Sequence, residues 1–379
     1  MTRPMRLLFF DLSLPHLLAD DEFPAGGFAV QLNQWLHGLC ELGVEAGVLT
    51  FKGANAHVGR PLPFRLIETI DPNAGIRALK YLYDYIPALS DAAREFRPDA
   101  IVQSCASVYT GIFAHIAHRL RVPFVYRAAS DSDIDGRMEI RLRWYERAAY
   151  RHGLGAADLV IGQNDYQLRA IRKRLPKKRV LRIYNSIQVP PDAPAPRTRI
   201  EREYVAWAGV FRSEKNLPLL LNVARALPEL AFCVAGMPDS GADDAALAAR
   251  DALAALPNVR LPGYLRRDQM REFFARATAL LCTSHFEGFP NTFLEAFAAG
   301  TPVLTHTGVD PDGVVGKNRL GLVADSESQL TANVSRLANM RNDDYDLLAQ
   351  KCRSYVETHH RPETAMRQLI DALETVTAA

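Results

Sequence analysis

Short apolar runs alternate with helix-period patterns along almost the whole chain, and the alternation is interrupted once. In the first half the runs are Leu7–Phe10, Ala46–Thr50, Ala100–Gln103, Phe124–Tyr126, Leu159–Ile161 and Val180–Ile183, with helical patterns such as Val30–Leu42 and Val108–Leu120 between them. In the second half they are Tyr204–Trp207, Phe232–Ala235, Val259–Leu261, Ala279–Cys282, Val303–Leu304 and Leu322–Val323. Runs that are apolar throughout suit strands buried on both faces, and strand–helix–strand order makes parallel sheets. The interruption is QVPPDAPAPRTR, residues 188–199, whose four prolines and lack of periodicity read as a linker. The expected fold is α/β, with two doubly wound Rossmann-like domains and an interdomain cleft. The predicted domains are 1–187 and 188–360. A last helical pattern, Pro362–Leu373, follows a break at His359, His360 and Arg361, so residues 361–379 can pack back on the first domain. Ligands of such sheets bind beyond the carboxyl ends of the strands, which points to the cleft.

A length of 379 residues agrees with two domains at roughly 100–200 residues each. With 48% hydrophobic and 23% charged residues the composition is that of a globular protein, and a net charge of +2 does not select a partner. The five cysteines stand singly, with no CxxC, and read as reduced, buried hydrophobes. MTRPMRLLFFDLS begins like a signal peptide, but Asp11 interrupts it, so RLLFF reads as a first strand. No run approaches the roughly 20 apolar residues of a membrane span. A cytoplasmic location is expected.

SHFEGFPNTFLEAFAAGTPVL, residues 284–304, is apolar except for two glutamates. Glu287 falls on a loop at a strand's carboxyl end. Glu295 falls in the first turn of a buried helix predicted over Thr292–Ala299. Thr292-x-x-Glu295 could form a capping box, and Glu287 could be a solvated loop charge. The alternative is a ligand site: a helix N-terminus favours anions, Gly288 permits close approach, and the two carboxylates can accept sugar hydroxyls. A nucleotide sugar satisfies all three.

EGFPNTFLEAFAAGTPVL closely resembles the E-x7-E signature of retaining glycosyltransferases of family 4, whose fold is GT-B. The resemblance implies that Glu295 binds the ribose and that Glu287 binds the transferred sugar. It also implies that amides around Gly288, Phe289, Asn291 and Thr292 meet sugar and phosphate. WAGVFRSEKNLPLLLNVARAL, residues 207–227, resembles the family's phosphate-binding segment. Lys215 matches its lysine; Val210 occupies the usual arginine position, with Arg212 two residues on. DEFPAGGFAVQLNQWLHGL resembles the family's first loop, with Gly26 and Gly27 facing donor or acceptor. Tyr264 and Leu265 are implied near the base, and YNSI, 184–187, resembles a hinge turn.

After PFVYR many members of the family carry a histidine near the reacting sugar; Arg127 falls there. Asp131, Asp133 and Asp135 follow. Their start resembles a Ca2+ loop, but Leu142 occupies position twelve. They are read instead as capping a helix Gly136–Tyr150, with Asp131 and Arg127 on the acceptor side. The histidines read as unclustered, so no metal and no cofactor is expected. Between Arg119 and Arg182 there are 16 Lys/Arg against 7 Asp/Glu. No nucleic-acid module accompanies them, and an anionic membrane surface carrying a lipid-linked acceptor is the partner they suit.

The function expected is a retaining, metal-independent hexosyltransferase-like enzyme. It moves a sugar from a nucleotide-diphosphate donor to a carbohydrate or lipid-linked acceptor hydroxyl, in bacterial surface polysaccharide or glycolipid assembly. Arg212 and Lys215 would stabilise the leaving diphosphate, and Glu287 would orient the sugar. The rivals are a nucleotide-sugar epimerase and a catalytically degenerate binding subunit.

Overall fold

The computed structural model describes residues 3–19, 21, 26–73, 81–239 and 241–377. Glu22–Ala25, part of the DEFPAGG stretch, lie outside them. The chain divides into two compact units, Met1–Ser186 with Pro362–Ala379, and Ile187–Arg361.

The first unit holds a parallel sheet of β1 (Arg6–Phe10), β2 (Glu45–Phe51), β3 (Arg65–Ile70), β4 (Ala100–Ser104), β5 (Phe124–Arg127), β6 (Leu159–Gly162) and β7 (Arg179–Arg182). Their order is β3-β2-β1-β4-β5-β6-β7. Along β1, Leu7 and Phe9 enter one core with Leu32, Trp35 and Leu36, while Leu8 and Phe10 enter another with Ile101, Phe113 and Tyr126. Helices on both faces thus explain why the run is apolar without alternation. Sequence reading missed β3. It is an edge strand paired only with β2, and its exposed Arg65 and Glu68 interrupt the apolar signal.

The C-terminal helix Pro362–Thr377 belongs to this unit: Ala365, Met366, Leu369 and Leu373 share the core of Leu32, Trp35, Leu36 and Leu39. Gly38 admits it, because a Cβ there would lie 2.7 Å from the Pro362 carbonyl carbon. The helix expected over Gly136–Tyr150 is instead broken into Ser132–Asp135, Arg137–Arg141 and Trp144–Ala156. Gly136 is left-handed (φ 95°), and Leu142 and Arg143 are extended.

The second unit is a parallel sheet of β8 (Tyr204–Ala208), β9 (Phe232–Ala235), β10 (Val259–Gly263), β11 (Ala277–Leu281), β12 (Val303–His306) and β13 (Gly321–Ala324), in the order β10-β9-β8-β11-β12-β13. All six strands coincide with apolar runs read from the sequence. The order reverses between β8 and β11, so the crevice of this sheet opens where those two strands end.

Candidate functional site

Both segments leaving that reversal carry motifs singled out above. After β8 the chain passes Gly209, pairs Phe211 with Pro238, makes a turn over Ser213–Lys215 and enters the helix Leu217–Ala226. Gly209 lies against the Trp207 ring, whose Cη2 would stand 3.2 Å from a Cβ at that position, with the Lys215 stem in ordinary contact at 3.6 Å. Gly236, at φ 142°, lets the β9 loop approach closely: a Cβ there would fall 1.9 Å from the Gly209 carbonyl oxygen.

The segment after β11 is tied to this turn. Thr283 Oγ1 donates to the Lys215 carbonyl at 2.8 Å and accepts from Trp207 Nε1 at 3.0 Å. The His285 amide donates to the Glu214 carbonyl at 2.8 Å. His306 Nδ1 accepts from the Gly308 amide at 3.1 Å, which leaves the proton on Nε2 to donate to the Ser284 carbonyl at 2.8 Å. With both backbones held, Lys215 Nζ sits 2.5 Å from Glu287 Oε1. Burial works against the ammonium, but the Glu287 carboxylate outweighs it and holds the lysine pKa above its ordinary value. Thr292 lines the same small cavity as Lys215, Glu287 and Ser284.

Glu295 is not a cap. The helix runs Asn291–Ala298 with Pro290 before it and no side-chain cap bond. Glu295 is therefore its fifth residue, beyond the first turn in which it was expected, and the Thr292 box does not form. Among the described residues nothing hydrogen-bonds its half-buried carboxylate, and burial raises its pKa against a weaker opposing pull from Arg267.

The other expected residues divide. Arg212 faces Asp239, with Nε 2.9 Å from both carboxylate oxygens. That hydrogen-bonded pair raises the arginine pKa and lowers the aspartate pKa. Gly288 is buried, and the Phe289 ring packs 5.3 Å from His360, so the phenyl group is structural. Asn291 opens the helix. Tyr264 and Leu265 are half-buried after β10, two strands from β8.

In the first unit Gly26 is exposed and precedes the helix Gly27–Glu41, accepting from the Ala29 amide at 3.0 Å. Arg127, at the end of β5, is only 1% exposed. Its Nη2 donates to Asn185 Oδ1 at 2.7 Å and its guanidinium lies 4.7 Å over Trp35. Among the described residues its Nε and Nη1 have no hydrogen-bond partner. Burial lowers its pKa to about 10, so it stays charged at neutral pH. The carboxylate that acts on its charge is Asp133, not Asp131. Asp131 is held by Asn164 at 3.1 Å and Gln167 at 2.8 Å, while Asp133 accepts from the Ala129 amide at 2.8 Å. The two acceptor-side residues thus do not form one constellation.

The histidines correct the sequence reading. They are scattered in sequence, yet the fold gathers His16 and His57 around Asp21. Asp239 and Thr283 were missed as well. Thr283 adjoins the quoted stretch but shows its role only through Trp207 and Lys215, and nothing in MPDSG marks Asp239 as an arginine partner.

The family model for group 1 glycosyl transferases matches residues 193–358. A model for a glycosyl transferase 4-like domain matches residues 26–186. Among solved structures, sucrose-phosphate synthase from Thermosynechococcus elongatus is similar at 16% identity and TM-score 0.73, with 99% of each chain covered. Anabaena HepE, solved with UDP and glucose, is similar at 17% identity and TM-score 0.71, covering 98% of this chain and 100% of its own. WaaG, a glycosyltransferase involved in lipopolysaccharide biosynthesis, is similar at 18% identity and TM-score 0.67, covering 95% of this chain and 98% of its own. No curated protein matches by sequence.

Proposed function

The chain belongs to the GT4-like glycosyltransferases, with the GT-B fold, and from that premise we propose that it moves a sugar from a nucleotide diphosphate to an acceptor hydroxyl with retention. The observation that carries this reading is the Lys215–Glu287 pair at the reversal of the second sheet, with Glu295, unbonded among the described residues, on the helix that follows Glu287.

Lys215 has three N–H groups, and Glu287 occupies one. The others would meet the diphosphate as negative charge grows on it, an electrostatic stabilisation that needs no reorganisation. Glu287 would accept sugar hydroxyls and Glu295 the ribose hydroxyls. The acceptor oxygen would bond to the anomeric carbon on the face the phosphate leaves. The departing phosphate oxygen takes the acceptor proton, so the reaction needs no protein nucleophile and no metal. The loop after β10 would border the base through Tyr264 and Leu265, and Gly26, Gly27, Arg127 and Asp131 would serve donor or acceptor from the first unit. HepE was solved with UDP-glucose, which makes a uridine donor the first to try.

A lipid-linked acceptor at an anionic membrane fits the basic stretch. Trp144 is 79% and Ile140 81% exposed, beside exposed Arg141 and Arg143. Such a mixture suits a lipid interface, and no helix among the described residues is long and apolar enough to cross a membrane. Bacterial surface polysaccharide or glycolipid assembly is the corresponding setting. Failure to co-sediment with anionic vesicles at low salt would remove the membrane component.

One observation favours the rival of a degenerate binding subunit: Arg212 is already paired with Asp239. Calorimetry and slow donor hydrolysis with a panel of nucleotide sugars separate the two. Turnover that falls in Lys215→Ala and binding that falls in Glu295→Ala support transfer. Binding without turnover supports the rival, and no binding at all sinks both.

A further inference from the structure

The side chains of His16, Asp21 and His57 converge in the first unit. His16 is on the helix Leu14–Ala19 after β1, Asp21 follows it, and His57 is on the helix Ala54–Val58 after β2. Asp21 Oδ2 is approached at 2.8 Å by His16 Nδ1 and at 2.8 Å by His57 Nε2. One ligand atom from each of the three lies within 4.8 Å of the other two.

The rings are already oriented. His16 stacks on Phe51 at 5.3 Å, and His57 meets His16 edge-on at 4.9 Å. Glu68 holds the start of the His57 helix by accepting from the Gly53 and Asn55 amides, each at 2.8 Å. Supporting contacts of this kind are what keep a metal ligand in place. The His16 and Asp21 side chains are partly buried, at 27% and 28% exposure, and His57 is exposed, at 36%.

We propose that His16, Asp21 and His57 form a binding site for a divalent transition metal of borderline softness, Zn2+ above all. Two imidazoles and a carboxylate are a usual donor set for that class and a poor one for Mg2+ or Ca2+, which take oxygen. At metal–ligand bonds of about 2.0–2.2 Å, tetrahedral donors stand roughly 3.3 Å apart. The two Asp21–histidine distances must therefore each open from 2.8 Å by about half an ångström. Three protein ligands leave a fourth position for water or an anion. Binding moves any ring proton that now points at Asp21 to the other nitrogen of the same imidazole. The ion joins the segment after β1 to the helix after β2, and Asp21 lies six residues before Gly27. This inference is independent of the proposed transfer reaction.

The test uses the full chain without a histidine tag, stripped with a chelator and titrated with Co2+. The expected result is one equivalent of Co2+ with visible d–d absorption typical of low coordination, displaced by Zn2+, together with a higher Tm in Zn2+. His57→Gln and Asp21→Asn should each lose at least ten-fold in affinity while melting like the metal-free wild type. No absorption and no Zn2+ shift in wild type would overturn the site. Binding that persists unchanged in both variants would place the metal elsewhere and overturn it equally. Should one variant fail to fold, the other with the wild-type titration still decides.

Discussion

Lys215 Nζ and Glu287 Oε1 are 2.5 Å apart across 72 residues of sequence. The pair exists because Thr283 grips the Lys215 carbonyl from the segment that carries Glu287. A lysine so placed keeps its charge through the neutral range. Its raised pKa means that its share of stability is complete below the ordinary value of 10.5 and is lost only as pH rises beyond it. Lys215→Ala should lower the transfer rate about 10²–10³-fold, the usual cost of removing one donor to developing charge. Steady-state kinetics at pH 7–9 should show the same ratio throughout.

Glu295→Gln separates stability from binding. Among the described residues the carboxylate has no hydrogen-bond partner, and burial disfavours its charge, so the amide should leave Tm unchanged or raise it slightly. Loss of charged hydrogen bonds to the ribose should weaken nucleotide binding by roughly 1.5–3 kcal/mol, about ten- to a hundred-fold. Calorimetry beside a thermal melt checks both; a large drop in Tm would mean that Glu295 holds the fold.

Thr283→Val should leave Trp207 Nε1 and the Lys215 carbonyl without their partner. A stability loss of about 1–3 kcal/mol is expected, with a fall in turnover as Lys215 shifts. Denaturant unfolding read through Trp fluorescence measures the first, and donor hydrolysis the second.

Gly236→Ala should damage the second unit badly. Its Cβ would meet the Gly209 oxygen at 1.9 Å in a backbone conformation that side chains avoid. A loss of roughly 2–4 kcal/mol is expected, seen as a lower Tm or poor soluble yield.

Asp11 makes stability depend on pH. Burial raises its pKa from 3.8 to about 6, against hydrogen bonds from the Leu14 and Ser13 amides. Its contribution is complete below pH 3.8 and is lost as pH rises through about 6. Asp11→Asn keeps an acceptor for those amides. It should therefore be more stable than wild type by about 1–3 kcal/mol at pH 8, and level with it near pH 4. Melting curves across that range would contradict this if the gap widened toward acid.

The strands were legible because burial on both faces writes itself as consecutive apolar residues. The edge strand β3, half polar, was not. Within the site, Glu287, Glu295 and Lys215 were legible because the segments around them are unusual in themselves: carboxylates in an apolar run, and a lysine after a strand and a glycine. Their partners were not. Asp239 neutralises Arg212, Thr283 positions Lys215 and Asp21 joins His57 to His16, and the links to Arg212, Lys215 and His57 close between segments distant in sequence. By itself the sequence determined two parallel sheets and the chemistry available at their edges, since periodicity and residue type are local properties. Only the tertiary structure decided which of those groups meet, because strand order brings together the carboxyl ends of β8 and β11, and no local pattern encodes the order in which strands pair.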